Sequence, residues 1–581
     1  MTNGVRCALL AGGLVGSLVL PVPLLAQTRD FTPVTQAMLE QPAPGDWLMY
    51  SRTYDAQRYS PLTQIDTTNV GSLVLKWNKH LGEGNTETIP LVYDGVMYMV
   101  TPGAIVQALD AATGAPIWRY EREISGSVAS TARTKGLAIH DDVIVYTAPD
   151  SYVVGLDART GALRWETRVG SRGHTSAPLV VDGLAISGGA CFGNRDNCVL
   201  TAHNVATGEE VWRFHTTPAP GEPGDESWHG AALSNRQAST WGLPGSYDPQ
   251  RGLLYWGIAN AMPDHRAARH GGDPDAVPLA APADLYSNST VALDPDTGDL
   301  AWYYQHLPGD DWDLDATHER TLVTTTLMPD PAHVKWINPR ITAGEQRDVA
   351  VTLTEGGGIW VLDRDDGEFL WATPFPFDAP EWWLDSIDTD TGRVHVKSEL
   401  VFREPGERKT ICYWNTRSYW PTAYHPGTNS LYTSYIDACR ELEAPSGDSP
   451  GSWRVVARPG ADPEALTGLA KIDLSTGEIL RFDTGRAPGN GAMLTTGGNL
   501  VFHGDMNRRF RAFDARTGER LWQTILGGNV SVSTISYAVD GRQYIAVMTG
   551  ENLKFTELMG VVPEVSAPRG HNAIYVFGLP E

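Results

Sequence analysis

One phrase returns along the chain: a small residue, an apolar residue, Asp, two or three variable residues, Gly, three residues and then Trp. It runs from Ala108-Leu109-Asp110 through Thr113-Gly114 to Trp118, then from Gly155-Leu156-Asp157 to Trp165 and from Ala202-His203-Asn204 to Trp212. Further copies run from Ala292 to Trp302, Val361 to Trp371 and Ala512 to Trp522. Two degraded copies, Ser386-Ile387-Asp388 and Lys471-Ile472-Asp473, keep the Thr-Gly but lack the Trp. The apolar residue and the Asp end a strand, Asp-x-x-Thr-Gly makes a turn in which Gly accepts positive φ, and the Trp stands on the next strand. Each Trp is then placed to pack between neighbouring sheets, with its N–H free to find a carbonyl. Asp110, Asp157 and Asn204 are 47 residues apart, a propeller-blade length.

Eight copies predict an all-β fold, an eight-bladed β-propeller with tryptophan-docking repeats. A length of 581 residues would otherwise suggest several domains. Stacked repeats share one core, so residues 27–581 read as a single propeller domain. The opening segment, with Trp47, Ser60-Pro61-Leu62 and Trp77, is expected to join the final strand near Ile574-Tyr575-Val576-Phe577 and close the ring. Later copies are more widely spaced, and the insertions between them are expected to form loops, some over the central channel.

The N-terminus reads as an export signal, residues 1–26. Arg6 is followed by the uncharged apolar run Ala8–Leu20, and Leu24-Leu25-Ala26 resembles a cleavage site before Gln27. The run is shorter than the ~20 residues needed to span a bilayer, and no later segment is apolar enough. A soluble, periplasmic protein without a membrane span is expected. Loss of Arg6 moves the net charge from −24 to −25, which argues against a nucleic-acid partner, whose phosphates need basic patches. The acidity fits a basic protein partner and fits plain solubility equally. Of five Cys, Cys7 leaves with the signal and four remain. Cys191 and Cys198 enclose a tight loop and Cys412 and Cys439 a longer one. Two local disulfides are the best reading, although four cysteines allow three pairings. No Cys-x-x-Cys-His haem-attachment sequence occurs.

These repeats, together with Gly45-Asp46-Trp47, Tyr59-Ser60-Pro61-Leu62 and Pro90-Leu91-Val92-Tyr93-Asp94-Gly95, resemble the family of alcohol dehydrogenases that depend on pyrroloquinoline quinone (PQQ). The resemblance extends from about Gly45 to Phe577. It implies a PQQ sandwiched in the channel on a tryptophan floor, here Trp241, which follows Ser239-Thr240 and lies outside the repeated phrase. PQQ carries three carboxylates and an ortho-quinone, so its pocket needs cations, hydroxyls and backbone donors. The resemblance assigns polar contacts to Glu87, Lys135 and Thr175, and a small-residue loop beside the cofactor to Gly188-Gly189-Ala190. It also implies a metal ion, Ca²⁺ or a lanthanide, held by Asn260, Asp313 and Asp315. Asp313, in Trp312-Asp313, is the implied catalytic base. Asp315, two residues on, is expected on the same side of an extended segment.

The chain departs from the family's pattern at several places. Cys191 stands where a metal-ligating Glu is usual, and in a disulfide it cannot serve as a thiolate ligand. Ala129-Ser130 replaces a vicinal disulfide, Glu355 replaces a Lys or Arg, Asn490 a Trp, and Ser418 an Asn. The replacements at Asn490 and Ala129-Ser130 predict a roomy pocket and a bulky secondary or cyclic alcohol as substrate. The implied reaction is alcohol oxidation without a nucleotide, with Asp313 taking the alcohol proton. Its electrons are expected to leave to a separate acceptor such as a periplasmic cytochrome c. Two other readings stand beside this one. The chain could be a non-catalytic propeller scaffold. It could instead be a quinoprotein for sugars or polymers, since the Cys191–Cys198 loop resembles polyvinyl alcohol dehydrogenase-like branches.

Overall fold

The computed structural model describes Met1 and residues 31–581, apart from 125–132, 172, 192, 415, 419, 490, 552–556 and 566–567. Residues 2–30, with the predicted cleavage site, therefore lie outside the described residues. The molecule is built from antiparallel strands, apart from Tyr59–Ser60, which pairs parallel with Leu494–Thr496. The first complete sheet shows the pattern: Leu91–Tyr93, Val96–Thr101, Ile105–Asp110 and Pro116–Tyr120 pair in chain order. Its first strand is wholly buried and its fourth largely exposed. The described residues form eight sheets of four or five strands, which we number in chain order from this one. Among the described residues no helix is long and apolar enough to cross a membrane.

The repeated phrase does what its chemistry predicts. The Asp carboxylate accepts the backbone N–H groups of the turn, as Asp157 does from Arg159 and Thr160 at 3.0 Å each. The Trp then docks on the turn of the following sheet. Trp118 Nε1 donates to Ala158 O at 3.0 Å, Trp165 to Val205 O at 2.8 Å and Trp212 to Pro295 O at 2.8 Å. The indole lies so close to the turn glycine that a Cβ at Gly208 would stand 2.4 Å from the Trp165 ring. Two docks differ from the expectation: the indole N–H groups of Trp302 and Trp371 are buried without a hydrogen-bond partner. Their rings still pack, Trp302 against the turn glycine Gly367, so burial of the ring rather than the N–H bond is the constant feature.

The chain ends meet through the strand that carries Trp77, whereas Trp47 pairs with Val92 of sheet 1 and Ser60 with Thr496 of sheet 7 rather than with the final strand. Strand Val74–His80 pairs antiparallel with Ala573–Gly578, so that sheet 8 combines the opening segment with the C-terminus. Trp77 of this sheet donates to Ala111 O of sheet 1 at 3.2 Å, which extends the docking series across the closure. One copy of the phrase is corrected. Ser386-Ile387-Asp388 belongs to a two-stranded hairpin, Leu384–Ile387 with Val394–Val396, and not to a four-stranded sheet. Asp-x-x-Thr-Gly chemistry makes a hairpin turn wherever it occurs, and it does not by itself make a blade. The other copy without a Trp, Lys471-Ile472-Asp473, lies in sheet 6, where Phe482 packs on the turn glycine Gly518. The eighth large sheet is the closing one instead. A separate three-stranded sheet, Arg408–Cys412, Ala438–Glu443 and Ser452–Ala457, is inserted around sheet 6. Disulfides join Cys191 to Cys198 and Cys412 to Cys439, the second pinning two strands of that inserted sheet.

Candidate functional site

The segments leading into the first strands of five successive sheets each carry one of the residues named above. Glu87 precedes Leu91, Lys135 precedes Leu137, Thr175 precedes Leu179, Trp241 precedes Ser246 and Asp315 precedes Thr321. Backbone bonds pass between these segments: Ile89 N to Lys135 O at 3.0 Å, Lys135 N to Thr175 O at 3.1 Å and Leu243 N to Thr317 O at 3.0 Å. Neighbouring sheets are thereby stitched together at one end, and distant side chains converge there.

The contacts form a continuous path. Lys135 Nζ pairs with Glu87 Oε2, both side chains being fully buried. The same ammonium lies 5.0 Å from the centroid of the Trp241 ring, and Thr175 Oγ1 stands 3.5 Å from the Trp241 carbonyl. Trp241 Nε1 donates to Asp315 Oδ2 at 3.1 Å, while Asp315 Oδ1 accepts the backbone N–H of Asn260 at 3.2 Å. The Asn260 amide then donates to Asp264 Oδ1 at 3.0 Å. The glycine loop closes the other flank. Gly189 N donates to Thr240 Oγ1 at 3.1 Å, Thr240 N donates back to Gly189 O at 3.0 Å, and Ala190 N donates to Gly173 O at 2.9 Å. A Cβ at Gly188 would fall 2.2 Å from Thr240 Oγ1, so only glycine lets this loop lie against the residues that carry Trp241. Cys191 N donates to Ser239 Oγ at 3.1 Å while its sulfur is committed to Cys198.

Asp313 departs from the expected extended segment. Asp310 Oδ1 accepts Trp312 N at 2.7 Å and its Oδ2 accepts Leu314 N at 2.9 Å; the Asn288 amide bonds both Asp310 Oδ2 and Leu314 O. This cage folds the segment into a tight turn with Asp313 at φ +64°, in the left-handed region. Asp313 and Asp315 consequently meet different neighbours. Asp315 is buried against Trp241 and Asn260, whereas Asp313, with 42% of its side chain exposed, meets the Arg440 guanidinium at 3.3 Å. Burial pushes the Asp310 carboxyl up to about 6. Burial, followed by the charge of Asp313, pushes Asp264 up to about 6 as well.

Asp264, Asn288, Asp310 and Arg440 were not singled out as site residues by sequence reasoning. The run Asp310-Asp311-Trp312-Asp313-Leu314-Asp315 displayed Asp310, but its role in shaping the turn follows only from the backbone it binds. Arg440 carried no signal beyond its neighbour Cys439. Glu355 N donates to Asp315 O at 3.1 Å, and the carbonyl of Ser418 accepts from His318 Nε2, so both departures border the site through their backbones. Ala129-Ser130 and Asn490 lie outside the described residues.

Residues 47–374 and 466–545 match the family described as PQQ: Glucose/ethanol/alcohol dehydrogenase, beta-propeller domain. The chain belongs to this family of PQQ-dependent dehydrogenases. It is 32% identical to the quinohemoprotein alcohol dehydrogenase ADH-IIG of Pseudomonas putida, over 89% of this chain and 74% of that one. It is 29% identical to the 1-butanol dehydrogenase (cytochrome c) of Thauera butanivorans, over 92% and 78% respectively. A solved structure of a europium-containing methanol dehydrogenase superposes with a TM-score of 0.77 at 26% identity, covering 94% of this chain and all of that one. The fold is accordingly a β-propeller.

The residues present suit the family's cofactor. The hydroxyls of Thr86 and Thr88, on either side of Glu87, are buried with no hydrogen-bond partner in the protein. Unpaired buried hydroxyls are unfavourable by about 1–3 kcal/mol each, and a carboxylated quinone would satisfy them. Lys135 adds a cation, Trp241 a half-buried ring face, and the glycine loop a close backbone wall. Asn260, Asp313 and Asp315 offer only hard oxygen donors, the chemistry that Ca²⁺ and lanthanides prefer. Among the described residues no group of three or more His, Cys, Asp or Glu side chains could hold a metal by itself.

Proposed function

We propose that this chain is an exported, eight-bladed PQQ- and metal-dependent dehydrogenase that oxidises a bulky secondary or cyclic alcohol and hands its electrons to a cytochrome c. The observation that carries the reading is the position of Asp313, a part-exposed carboxylate on a turn shaped by Asp310 and paired with Arg440, beside the buried Trp241–Asp315–Asn260 array.

Bound PQQ supplies the two-electron sink for the hydrogen removed from the carbinol carbon. The protein's part is placement. Trp241 would present its ring as the floor, Lys135 and the threonines around Glu87 would supply donors for the cofactor, and Asn260, Asp313 and Asp315 would hold the cation. Asp313 accepts the proton of the alcohol hydroxyl at its carboxylate, a general-base contribution of about 10²–10⁴ in rate. The acceptor assignment draws on the Thauera butanivorans relative, which is named for cytochrome c. The metal assignment draws on the europium-containing relative. Eight large sheets, with the last closing on the first, support the blade count. Export rests on the sequence of residues 1–26, which also supports a periplasmic location.

The test is reconstitution of the purified mature chain with PQQ and Ca²⁺, Mg²⁺ or La³⁺, followed by kcat/KM for methanol and for primary, secondary, cyclic and polymeric alcohols. Secondary or cyclic alcohols are expected to lead. Methanol as the best substrate would overturn the substrate reading, and a polymer would move the chain to the polymer-oxidising branch. Failure to bind PQQ, read from its absorbance, would leave a non-catalytic propeller.

A further inference from the structure

The carboxylate of Asp313 is gripped from outside the ring of sheets. Arg440 stands on the middle strand of the inserted three-stranded sheet, opposite Ile411 on one side and Val455 on the other. Its neighbour Cys439 is bonded to Cys412, which fixes the strand beside it. The guanidinium packs 5.0 Å from the Trp414 ring and 4.3 Å from the Trp453 ring, two indoles tilted 43° to one another. From that cleft Nη1 reaches both Trp312 O at 3.0 Å and Asp313 Oδ2 at 3.3 Å. Among the described residues it is the one cation in ion-pair range of Asp313, and only 7% of its side chain is exposed.

Three other buried arginines provide a contrast. Arg58, Arg266 and Arg417 each bond backbone carbonyls through all three guanidinium nitrogens and so tie the framework together. Arg440 makes its protein bonds through Nη1 alone, and its buried Nε–H has no partner. Arg52, whose Nη2 bonds only the carbonyls of Pro42 and Ala43 and whose buried Nε is also unpaired, shows that an idle donor alone marks no role; what sets Arg440 apart is that its partner is the Asp313 carboxylate. The bonds it does make go to the residue read as the base and to the carbonyl just before it.

We propose that Arg440 is a positioning residue for the oxidation: from the disulfide-pinned inserted sheet it fixes the Asp313 carboxylate in the orientation that receives the alcohol proton. The proposal rests on the reading of Asp313 as the base. At φ +64° the backbone of Asp313 is set by Asp310, and among the described residues Arg440 Nη1 is the protein donor that reaches its carboxylate, so its aim depends on that contact together with the cation it would ligate. An error of about 1 Å in such an aim slows turnover up to about 100-fold.

The experiment uses holoenzyme reconstituted with PQQ and metal, a dye as electron acceptor, and the fastest alcohol of the panel above. Arg440→Ala is expected to lower kcat and kcat/KM together by about 10–100-fold with KM nearly unchanged, the pattern of an interaction made in the transition state. Arg440→Lys is expected to recover much of the loss. Millimolar guanidinium chloride, added to Arg440→Ala, is expected to restore part of kcat, which a merely structural role would not allow. The kinetic isotope effect with carbinol-deuterated alcohol should rise in Arg440→Ala as the chemical step slows. Full kcat in Arg440→Ala would overturn the proposal. So would a loss that neither lysine nor guanidinium recovers and that tracks a lowered melting temperature. If Asp313→Asn itself turns over normally, the base reading falls instead, which separates the two failures.

Discussion

The indole N–H of Trp241 donates to Oδ2 of Asp315 at 3.1 Å, and the other oxygen of that carboxylate receives the backbone N–H of Asn260 at 3.2 Å. The floor of the proposed cofactor site and two of its proposed metal ligands are therefore one hydrogen-bonded unit. Groups that orient a ligand typically change metal affinity 10–100-fold when lost. Trp241→Phe, which keeps a ring but removes the N–H, is expected to weaken metal binding by about 10-fold, and Asp315→Ala by more. Metal titration followed by the rise in melting temperature or by Tb³⁺ luminescence reads both. Unchanged metal dependence in Asp315→Ala would exclude Asp315 as a ligand.

Asp313→Asn is expected to reduce turnover by about 10²–10⁴ while sparing the fold. Asparagine tolerates the left-handed conformation that Asp313 adopts, and the Asp310 cage that shapes the turn is untouched. The check is activity alongside PQQ absorbance and melting temperature. A variant with bound PQQ and metal that retains more than half of the activity would remove Asp313 from the mechanism.

The docking of tryptophan on glycine gives a paired comparison. Gly208 and Gly541 have nearly the same positive φ, +76° and +72°, so alanine brings similar backbone strain to each. A methyl at Gly208 would meet the Trp165 ring at 2.4 Å, whereas nothing lies within 4 Å of one at Gly541. Gly208→Ala is expected to be the more destabilising by about 1–3 kcal/mol. Equal melting temperatures for the two variants would show that the indole yields without loss.

Two buried histidines set a pH dependence of stability. Burial, with smaller contributions from nearby charges, pushes His174 and His503 down from 6.5 to about 3. Both stay neutral in the folded chain while the unfolded chain takes up protons below its own value near 6.5. Their stabilising contribution is thus complete above pH 6.5 and is lost as the pH falls from there toward 3, by up to about 1.4 kcal/mol per pH unit for each. His174→Gln is expected to flatten the fall in melting temperature between pH 7 and 5. A slope identical to the unaltered protein would refute the assignment.

The repeat chemistry was legible because both partners of each dock sit in the phrase itself. The Trp of one copy meets the glycine turn of the next, so the contact recurs at blade spacing and needs no information from elsewhere in the chain. After Ser386-Ile387-Asp388 the turn makes only a hairpin and the phrase overcounts, whereas Lys471-Ile472-Asp473, also without a Trp, stays in a four-stranded sheet with Phe482 packed on the turn glycine Gly518. The closing sheet compensates because Trp77 stands on the strand that pairs with Ala573–Gly578. The alignment of Glu87, Lys135, Thr175, Trp241, Asn260, Asp313 and Asp315 came from resemblance. Their convergence came from backbone bonds between sheets that no local pattern specifies. The turn at Asp313 and the grip of Arg440 were decided by tertiary structure alone. A side chain's aim depends on which acceptor or cation reaches it through space, and Arg440 reaches Asp313 across 127 positions from a sheet that lies outside the repeat.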